Sequence, residues 1–395
     1  MWDNAIVKNN AKDIIKKNNF PDHFCILPWA GLETRTDAKV CVCCVMQEPL
    51  SNIDLSKQTI SDAWNSKHLK EIRSSFISGT PRSSCNNCWH EEHSGIVSRR
   101  ETELYRYKDR ITNILENHSY PIYLDLKLGN ICNSICRICT SFASSKWAAE
   151  ETLQGNDIAK IHLQQGKWPR INKLFWKDLS DNINNVTSID FFGGEPLLIK
   201  EHISILQECV ERNIASNIEL SYNTNGTIYD EQLISIWKNF KNVQLLFSID
   251  GIGNRFNYLR YPGKWGEVEQ NIFKYKKYVK VGIFCTISAF NIWYINEVCD
   301  WHETVLSDVE LHFNKVFEPK HYSSKCIPIN IKNKIIDHYQ TSKHLNKIKP
   351  WLDFMFTEQY DCWDDHIKQR YLSDNKRNQN YEEVFPEFYN IIYEK

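Results

Sequence analysis

The stretch Leu124–Thr140, LDLKLGNICNSICRICT, decides the fold because it joins an apolar run of β-strand character to a short loop with three cysteines. Cys132, Cys136 and Cys139 follow one another in the spacing C-x3-C-x2-C. Three thiolates this close together favour a soft metal centre, and a cubane iron–sulfur cluster held by three cysteines keeps one iron open. An open metal position binds a ligand and supports chemistry. A zinc loop or unligated thiols are the alternatives.

Composition indicates a soluble globular protein. The 395 residues are 42% hydrophobic and 13% aromatic, which is enough for a sizeable core and two or three domains. The 48 Lys and Arg residues balance 49 Asp and Glu residues, so the chain carries no clear nucleic-acid signal. The first twenty residues resemble no signal segment, and no run approaches the roughly 18 apolar residues of a membrane span. We therefore expect a cytoplasmic protein whose clustered cysteines bind metal rather than form disulfides.

A second group of cysteines lies in the N-terminal part of the chain. The segment 24–44, FCILPWAGLETRTDAKVCVCC, predicts a hairpin with thiols at both ends, and helical spacing predicts one helix over about Ser61–Ser78 that stops at Gly79. A C-x2-C pair, the spacing with which two thiolates bind one metal centre, follows in a polar loop. The predicted four-thiolate set is Cys25, Cys43, Cys85 and Cys88, with Cys41 and Cys44 as alternatives to Cys43. Ligand number alone does not distinguish zinc from a cluster at this site.

The middle of the chain alternates strands and helices. Six strand-like runs, separated by stretches long enough for crossover helices, predict a parallel α/β fold, a partial (β/α)6 TIM-type barrel. The predicted strands are Tyr123–Leu128, Ser188–Phe192, Glu219–Tyr222, Gln244–Ile249, Val281–Ser288 and Val309–Phe313. A small N-terminal cysteine-rich α+β domain precedes this barrel, and a helical C-terminal extension follows it from residue 329.

Candidate binding residues follow the predicted strands, where barrel enzymes place their chemistry. The second strand is followed by Gly193, Gly194 and Glu195, which suit close backbone approach to a ligand and a contact from a carboxylate to an ammonium group. A tight turn with a solvated glutamate is the alternative. The remaining candidates are Asn223 after the third strand and Ser248, Asp250 and Arg260 after the fourth. A guanidinium can pair with both oxygens of a carboxylate, although a surface salt bridge is the plainer interpretation of Arg260.

These motifs together resemble the radical S-adenosylmethionine (SAM) superfamily, and the N-terminal cysteines resemble its SPASM and twitch auxiliary-cluster modules. The resemblance implies that the three cysteines of the first loop hold a catalytic [4Fe–4S] cluster and that the four N-terminal cysteines hold a second. It also implies that the GGE motif contacts the amino group of SAM and that Ser248 and Arg260 hold its ribose and carboxylate. One departure is Ala38, which stands where such modules place a turn glycine.

The resemblance also implies a division of the chain and a reaction. The predicted parts are a polar leader (1–20), a twitch or SPASM-like iron–sulfur domain (21–105), a helical linker (106–120), the radical SAM partial barrel (121–328) and the helical extension (329–395). Electron transfer from the cluster cleaves SAM, and the resulting 5′-deoxyadenosyl radical abstracts hydrogen from a substrate. A flavodoxin- or ferredoxin-type protein is the expected electron donor.

The sequence favours a peptide or protein residue as substrate, because such modules are common among peptide-modifying enzymes. A sugar, nucleotide or other small metabolite is the alternative. The rival from another class is a non-catalytic iron–sulfur or zinc protein that transfers electrons or scaffolds a partner, which would have no use for a SAM pocket.

Overall fold

A computed structural model describes residues 4–93, 95–117 and 119–393 of the chain. The first three residues of the predicted leader lie outside these ranges. The chain divides into two compact units. The first unit comprises Met1–Ile131, Ser141–Tyr222 and Gln232–Val243, and the second comprises Cys132–Thr140, Asn223–Glu231 and Gln244–Lys395.

The described residues form eight strands, and the six predicted for the barrel all form at their expected places. The two additional strands form the predicted N-terminal hairpin, whose pairing is antiparallel. The strands are β1 Gly31–Thr34, β2 Val40–Cys41, β3 Tyr123–Lys127, β4 Ser188–Phe192, β5 Glu219–Thr224, β6 Asn242–Ser248, β7 Lys280–Ile287 and β8 Glu310–Lys315. The hairpin is not separate from the parallel sheet, because β1 pairs in parallel with β3.

The sheet of the first unit has one apolar and one polar face. Strands β1, β3, β4 and β5 are parallel neighbours in that order, so residues paired across them share a face. Leu124, Leu126 and Phe191 are buried on the apolar face. The alternate positions of β3, which include Asp125 and Lys127, lie on the other face. Successive side chains of a strand point to opposite faces, so the charged residues of β3 share one face of the sheet. This is unusual, because the strands of most parallel sheets are continuously apolar.

In the second unit, β6, β7 and β8 are parallel, and a helical region follows them. An aromatic and aliphatic core joins this region to the helix after β6, with Tyr258, Phe290, Tyr381 and Phe385 all buried. The predicted helical character beyond residue 329 is confirmed.

The helices agree with the sequence pattern with one exception. The single helix predicted over 61–78 is wrong, because the chain forms two helices there. The first helix ends at Trp64, and Ser66 caps the next by accepting a hydrogen bond from the Leu69 backbone N–H at 3.2 Å. The α-helices are α1 Asn4–Lys17, α2 Leu27–Ala30, α3 Ile60–Trp64, α4 Lys67–Ile77, α5 Asn86–His93, α6 Arg99–Arg106, α7 Ile111–Glu116, α8 Ser145–Leu153, α9 Asp157–Gln165, α10 Trp168–Ile171, α11 Lys173–Asn182, α12 Glu201–Glu211, α13 Glu231–Trp237, α14 Gly253–Leu259, α15 Trp265–Lys276, α16 Ile295–Val305, α17 Ile329–Tyr339, α18 Leu345–Phe356, α19 Trp363–Arg377, α20 Tyr381–Val384 and α21 Pro386–Tyr393. None of the helices within the described ranges is long and apolar enough to cross a membrane.

Candidate active site

The loop after β3 holds the three cysteines in a compact turn. The Ser134 backbone N–H points to the Cys132 sulfur at 3.4 Å, and the Cys139 N–H donates to the Cys136 carbonyl at 3.1 Å. Cys136 is buried, while Cys132 and Cys139 are half-buried. Burial raises the pKa of Cys139, and the neighbouring cysteines raise it further. A bound cation would reverse this effect, because metal ligation requires the thiolate.

The segment that contains Arg260 supports this loop within the second unit. The backbone N–H groups of Ile135 and Arg137 donate to the carbonyls of Tyr261 and Leu259 at 2.7 and 2.8 Å. Between these two carbonyls, Arg260 places Nη1 3.9 Å from the Cys136 sulfur. Burial raises the pKa of Cys136, and the Arg260 guanidinium opposes that rise. Arg260 therefore lies beside a predicted cluster ligand.

Asp250 holds Arg260 in this position. Its carboxylate lies 2.7 Å from Arg260 Nε as an ion pair, although the pair lacks the alignment of a straight hydrogen bond. The other carboxylate oxygen accepts a hydrogen bond from the Thr286 N–H at 2.9 Å. Asp250 is thus buried behind Arg260, and its contact with the cofactor stays a prediction. The same is true of Ser248, which ends β6 and is half-buried.

The segment 223–226, NTNG, contains one residue suited to a cofactor, Asn223, and one that sequence reasoning missed, Asn225. Asn223 at the end of β5 has a buried Oδ1 with no hydrogen-bond partner among the described residues, which fits a site for a polar ligand. Asn225 was not predicted as a site residue. Its amide donates to Asn133 Oδ1 at 2.8 Å and Ser134 Oγ at 3.2 Å, so it fixes the first part of the cysteine loop. Its place beside Asn223 was the only sequence signal.

In the first unit, the GGE loop packs against the peptide that leads into Cys132. Gly193 has a φ of 115°, which favours glycine, and a Cβ on Gly194 would lie 2.1 Å from the Ile131 carbonyl oxygen. The Glu195 backbone N–H donates to that same oxygen at 2.7 Å. The close approach expected here is therefore made to the protein's own backbone. The Glu195 side chain is buried and accepts from the Leu197 N–H at 3.2 Å, and its contact with SAM stays a prediction.

Arg137, between two of the predicted ligands, is the second residue that sequence reasoning missed. Its guanidinium lies 2.6 Å from Asp374 Oδ1 and donates to Gln379 Oε1 at 2.8 Å. It also lies over the Tyr258 ring, 3.9 Å from the ring centre. Helix α19 of the C-terminal region thereby anchors the cysteine loop. A charged residue inside an apolar cysteine motif was a signal for Arg137, but nothing in the sequence pointed to Asp374.

The N-terminal cysteines line a separate cavity within the first unit. This cavity has about 310 Å³ of space free of protein atoms. Its thiol-bearing residues are Cys25, Cys43, Cys85 and Cys88. Cys41 is buried elsewhere and Cys44 is exposed, so the geometry favours Cys43 as the fourth ligand. Burial raises the pKa of Cys88 to about 11, and the presence of Arg100 in the cavity wall suits a set of thiolates.

The spacing of these thiols suits a cluster better than a zinc ion. Four sulfurs at about 2.3 Å from one zinc lie about 3.8 Å from each other in tetrahedral geometry. A zinc site would need at least three ligand atoms within 4.8 Å of one another. In the described part of the chain, only Asp300, Glu303 and His344, which lie outside the cavity, meet that condition. No three of the cavity's thiols are that close. The site therefore accommodates a group larger than a single ion.

The departure at Ala38 has a structural explanation. Ala38 adopts a φ of 68°, a left-handed conformation that costs a residue with a Cβ about 1–2 kcal/mol. Its carbonyl accepts from the Leu55 N–H at 2.8 Å, so the surrounding chain maintains the turn. Ala38 thus adopts a backbone conformation that favours glycine, and Cys43 lines the cavity.

Comparisons with known proteins agree with these two sites. The model of the radical SAM superfamily matches residues 126–306, and the model of the SPASM iron–sulfur cluster-binding domain matches residues 25–89. The radical SAM cyclopropyl synthase TigE of Paramaledivibacter caminithermalis is 27% identical over 252 residues, covering 61% of this chain and 51% of TigE. The chain therefore spans about half the length of this curated relative.

Two solved structures also resemble the chain. One is anSMEcpe with bound AdoMet, with 20% identity, a TM-score of 0.40 and coverage of 59% of this chain and 57% of that one. The other is SuiB of Streptococcus suis bound to S-adenosylmethionine, with 15% identity, a TM-score of 0.36 and coverage of 72% and 60%.

The family matches confirm several predictions from the sequence. They bear out the fold class, a partial (β/α)6 barrel of the radical SAM type, and the cofactors, [4Fe–4S] clusters and SAM. The matched regions contain all seven predicted ligand cysteines, three in the radical SAM region and four in the SPASM region. The chain therefore carries a domain of the radical SAM superfamily and, ahead of it, a SPASM-like iron–sulfur cluster-binding domain.

Proposed function

We propose that this enzyme uses a SAM-derived radical to modify a residue of a peptide or protein. Cys132, Cys136 and Cys139 ligate the catalytic [4Fe–4S] cluster. When bound there, SAM accepts one electron from the cluster and supplies methionine and a 5′-deoxyadenosyl radical, which removes a hydrogen atom from an unactivated C–H bond. The observation that carries this assignment is the compact cysteine loop with Arg260 beside Cys136.

The other predicted cofactor residues have separate roles in this proposal. Arg260, fixed by Asp250, stabilises negative charge on the Cys136 thiolate and at the cofactor carboxylate. Asn223 offers its buried amide oxygen to the cofactor. Gly193 and Gly194 allow the GGE loop to lie against the peptide before Cys132, and Glu195 carries the negative charge for the ammonium group of SAM.

The second site holds the auxiliary cluster on Cys25, Cys43, Cys85 and Cys88. The proposal includes the predicted division of the chain into an iron–sulfur domain (21–105), a helical linker (106–120), a radical SAM partial barrel (121–328) and a helical extension (329–395). A flavodoxin- or ferredoxin-type protein supplies the electrons. The preference for a peptide rests on the auxiliary module, which resembles those of peptide-modifying enzymes. The related TigE is named for forming a cyclopropyl group, a change at carbon centres that is compatible with radical chemistry.

Metal analysis of matched variants tests the two cluster sites. Anaerobic reconstitution should give about eight irons and eight sulfides per chain, and about four of each after Cys43→Ser. Cys41→Ser, two residues away and outside the cavity, is the control and should keep about eight. Stoichiometric zinc, or equal loss of iron in both variants, would contradict the proposed auxiliary site.

Isotope transfer tests the reaction. The triple variant with Cys132, Cys136 and Cys139 changed to Ala should form no 5′-deoxyadenosine under a strong reductant, whereas the wild type should form it. Deuterated candidate substrates should then be incubated with enzyme and SAM. The candidates are the peptides that neighbouring genes encode and the metabolites on which the products of neighbouring genes act. Deuterium should enter 5′-deoxyadenosine from a peptide. Transfer only from a small metabolite would overturn the proposed substrate while leaving the radical mechanism intact.

A further inference from the structure

Three carboxylates form a row on the polar face of the sheet in the first unit. Glu33 of β1 pairs in register with Asp125 of β3, and Asp125 pairs with Asp190 of β4. The exposed fraction is 1% for Glu33 and 2% for Asp125. Like charges directly opposite each other destabilise a sheet, and buried charges need partners. These three carboxylates therefore need cations or hydrogen-bond donors beside them.

The partners of these carboxylates are unequal. Glu33 contacts the ammonium group of Lys127, and Arg35 lies 3.8 Å away. Asp190 accepts a hydrogen bond from the Tyr123 hydroxyl at 2.8 Å. Within the described part of the chain, no Lys, Arg or His forms an ion pair within 4.0 Å with Asp125 or Asp190, and Asp125 Oδ1 has no hydrogen-bond partner although it is buried. Asp125 and Asp190 thus form an acidic pair without a directly paired cation.

Two arginines near the pair contact another carboxylate, and Arg99 also donates to the Tyr123 hydroxyl at 3.0 Å. Arg99 and Arg106 lie 3.1 and 3.7 Å from Glu103 on helix α6. Arg106 also donates to Ser188 Oγ at 3.0 Å and lies 3.4 Å from Glu219, the first residues of β4 and β5. Helix α6 therefore covers the amino ends of these strands and leaves the acidic pair one row further into the sheet.

The pair is accessible at one of its two members. Asp190 is half-buried, whereas Asp125 is buried. Burial and the charge of Asp190 raise the pKa of Asp125, and the charge of Arg99 opposes that rise only in part. A group that contacts Asp190 would find two carboxylates whose mutual repulsion a positive charge relieves.

The arrangement does not suit a metal ion. Among the described residues, the ligand atoms of Glu33, Asp125 and Asp190 do not all lie within 4.8 Å of one another. Oxygen ligands of Ca²⁺ or Mg²⁺ lie within about 2.0–2.6 Å of the ion and therefore close to each other. Carboxylates on neighbouring strands that do not converge suit a larger organic cation, which offers several N–H donors.

We propose that Asp125 and Asp190 bind one organic cation of the substrate, a primary ammonium or a guanidinium group. This inference rests on the proposed function, because it identifies the substrate as a peptide with a basic side chain at or beside the reacting residue. The charge-assisted hydrogen bonds would satisfy Asp125 Oδ1 and neutralise the pair. A neutral or anionic group at the same place would leave the buried carboxylates uncompensated.

Small probes test this site without knowledge of the peptide. The reconstituted full-length enzyme should be titrated with n-butylammonium, n-butylguanidinium and the neutral n-butylurea, and its thermal midpoint measured. We expect the two cations to raise the midpoint in a concentration-dependent way and n-butylurea to have no such effect. Asp125→Asn and Asp190→Asn should each weaken the apparent affinity about tenfold or more. Glu211→Gln, an exposed acid outside the row, is the matched control and should behave as the wild type.

The outcomes separate this inference from the proposed function. Asparagine keeps the shape of aspartate and removes repulsion, so both variants should fold, and a cooperative thermal transition of each variant without probe checks this. Equal stabilisation by n-butylurea, or unchanged affinity in both variants, would overturn the cation site even if SAM cleavage is normal. Absence of 5′-deoxyadenosine in the wild type would contradict the proposed function, while the probe titration would still report on the site.

Discussion

Removal of Asp374 should both destabilise the second unit and loosen its cysteine loop. Arg137 is 1% exposed at its side chain, and Asp374 is its only acidic partner within 4.0 Å among the described residues. Asp374→Ala leaves a buried guanidinium uncompensated, which typically costs about 3–5 kcal/mol. The Tyr258 hydroxyl also loses its acceptor, the same Asp374 Oδ1 at 2.7 Å, for about 1 kcal/mol more. We expect the free energy of unfolding to fall by about 4–6 kcal/mol.

Two measurements with a matched control decide this prediction. Urea unfolding followed by tryptophan fluorescence gives the change in free energy, and iron content after reconstitution reports on the loop. Asp364→Ala, an exposed substitution on the same helix, should change the free energy by less than about 0.5 kcal/mol and leave iron unchanged. Asp374→Asn, which retains an acceptor oxygen, should give an intermediate loss. A loss below about 1 kcal/mol in Asp374→Ala, together with full iron content, would refute the view that helix α19 anchors the loop.

Three further substitutions test local features. Ala38→Gly should raise the free energy of unfolding by about 0.5–1 kcal/mol with unchanged iron content, because glycine accepts the φ of 68° without strain; a decrease in urea unfolding would contradict this. Gly194→Ala should reduce catalytic-site iron and SAM binding in equilibrium dialysis, since a Cβ would overlap the Ile131 carbonyl, whereas Gly266→Ala has open space and should not have this effect. Burial lowers the pKa of His366 to about 3, so the folded state binds fewer protons than the unfolded state between pH 3 and 6.5, and the stability present above pH 6.5 is lost as pH falls. His366→Phe should remove up to about 1.4 kcal/mol per pH unit of that slope, and identical slopes in acid unfolding of the two proteins would rule out this role.

The parts of the fold that depend on local pattern could be predicted from the sequence. The six barrel strands form where apolar alternation and turn residues placed them, because burial of one face fixes both the extent and the register of a strand. The spacing of Cys132, Cys136 and Cys139 is likewise local, and the turn at Ala38 sets the distance from Cys25 to Cys43. The break between α3 and α4 was missed because the apolar spacing continues across it, and the cap formed by Ser66 outweighs that pattern.

The contacts that complete the sites depend on residues far apart in the chain. Arg137 and Asp374 are separated by 237 positions, and no periodicity relates them. The row of Glu33, Asp125 and Asp190 arises from the register of three strands, and Asp125 alone looks like an ordinary interruption of an apolar run. Pairing of β1 with β3 was not predicted either, because the hairpin was assigned to a separate domain. Sequence pattern thus pointed to the candidate cysteines and to Arg260, but not to Arg137, Asn225 and Asp374, which hold the cysteine loop.

Both cysteine sites place an arginine where it can offset the charge of thiolates. Arg260 lies beside Cys136, and Arg100 lines the cavity that contains Cys25 and Cys88. Each arginine is held by a carboxylate: Asp250 pairs with Arg260 at 2.7 Å, and Arg100 Nε donates to Glu92 at 2.9 Å.

The potential of a cluster depends on the net charge around it and on hydrogen bonds to its sulfurs. A fixed guanidinium stabilises the reduced cluster, which carries one more negative charge, while its carboxylate partner limits that effect. We therefore expect the arginine–carboxylate pairs to influence how readily each cluster accepts an electron, in addition to the cysteines that would ligate it.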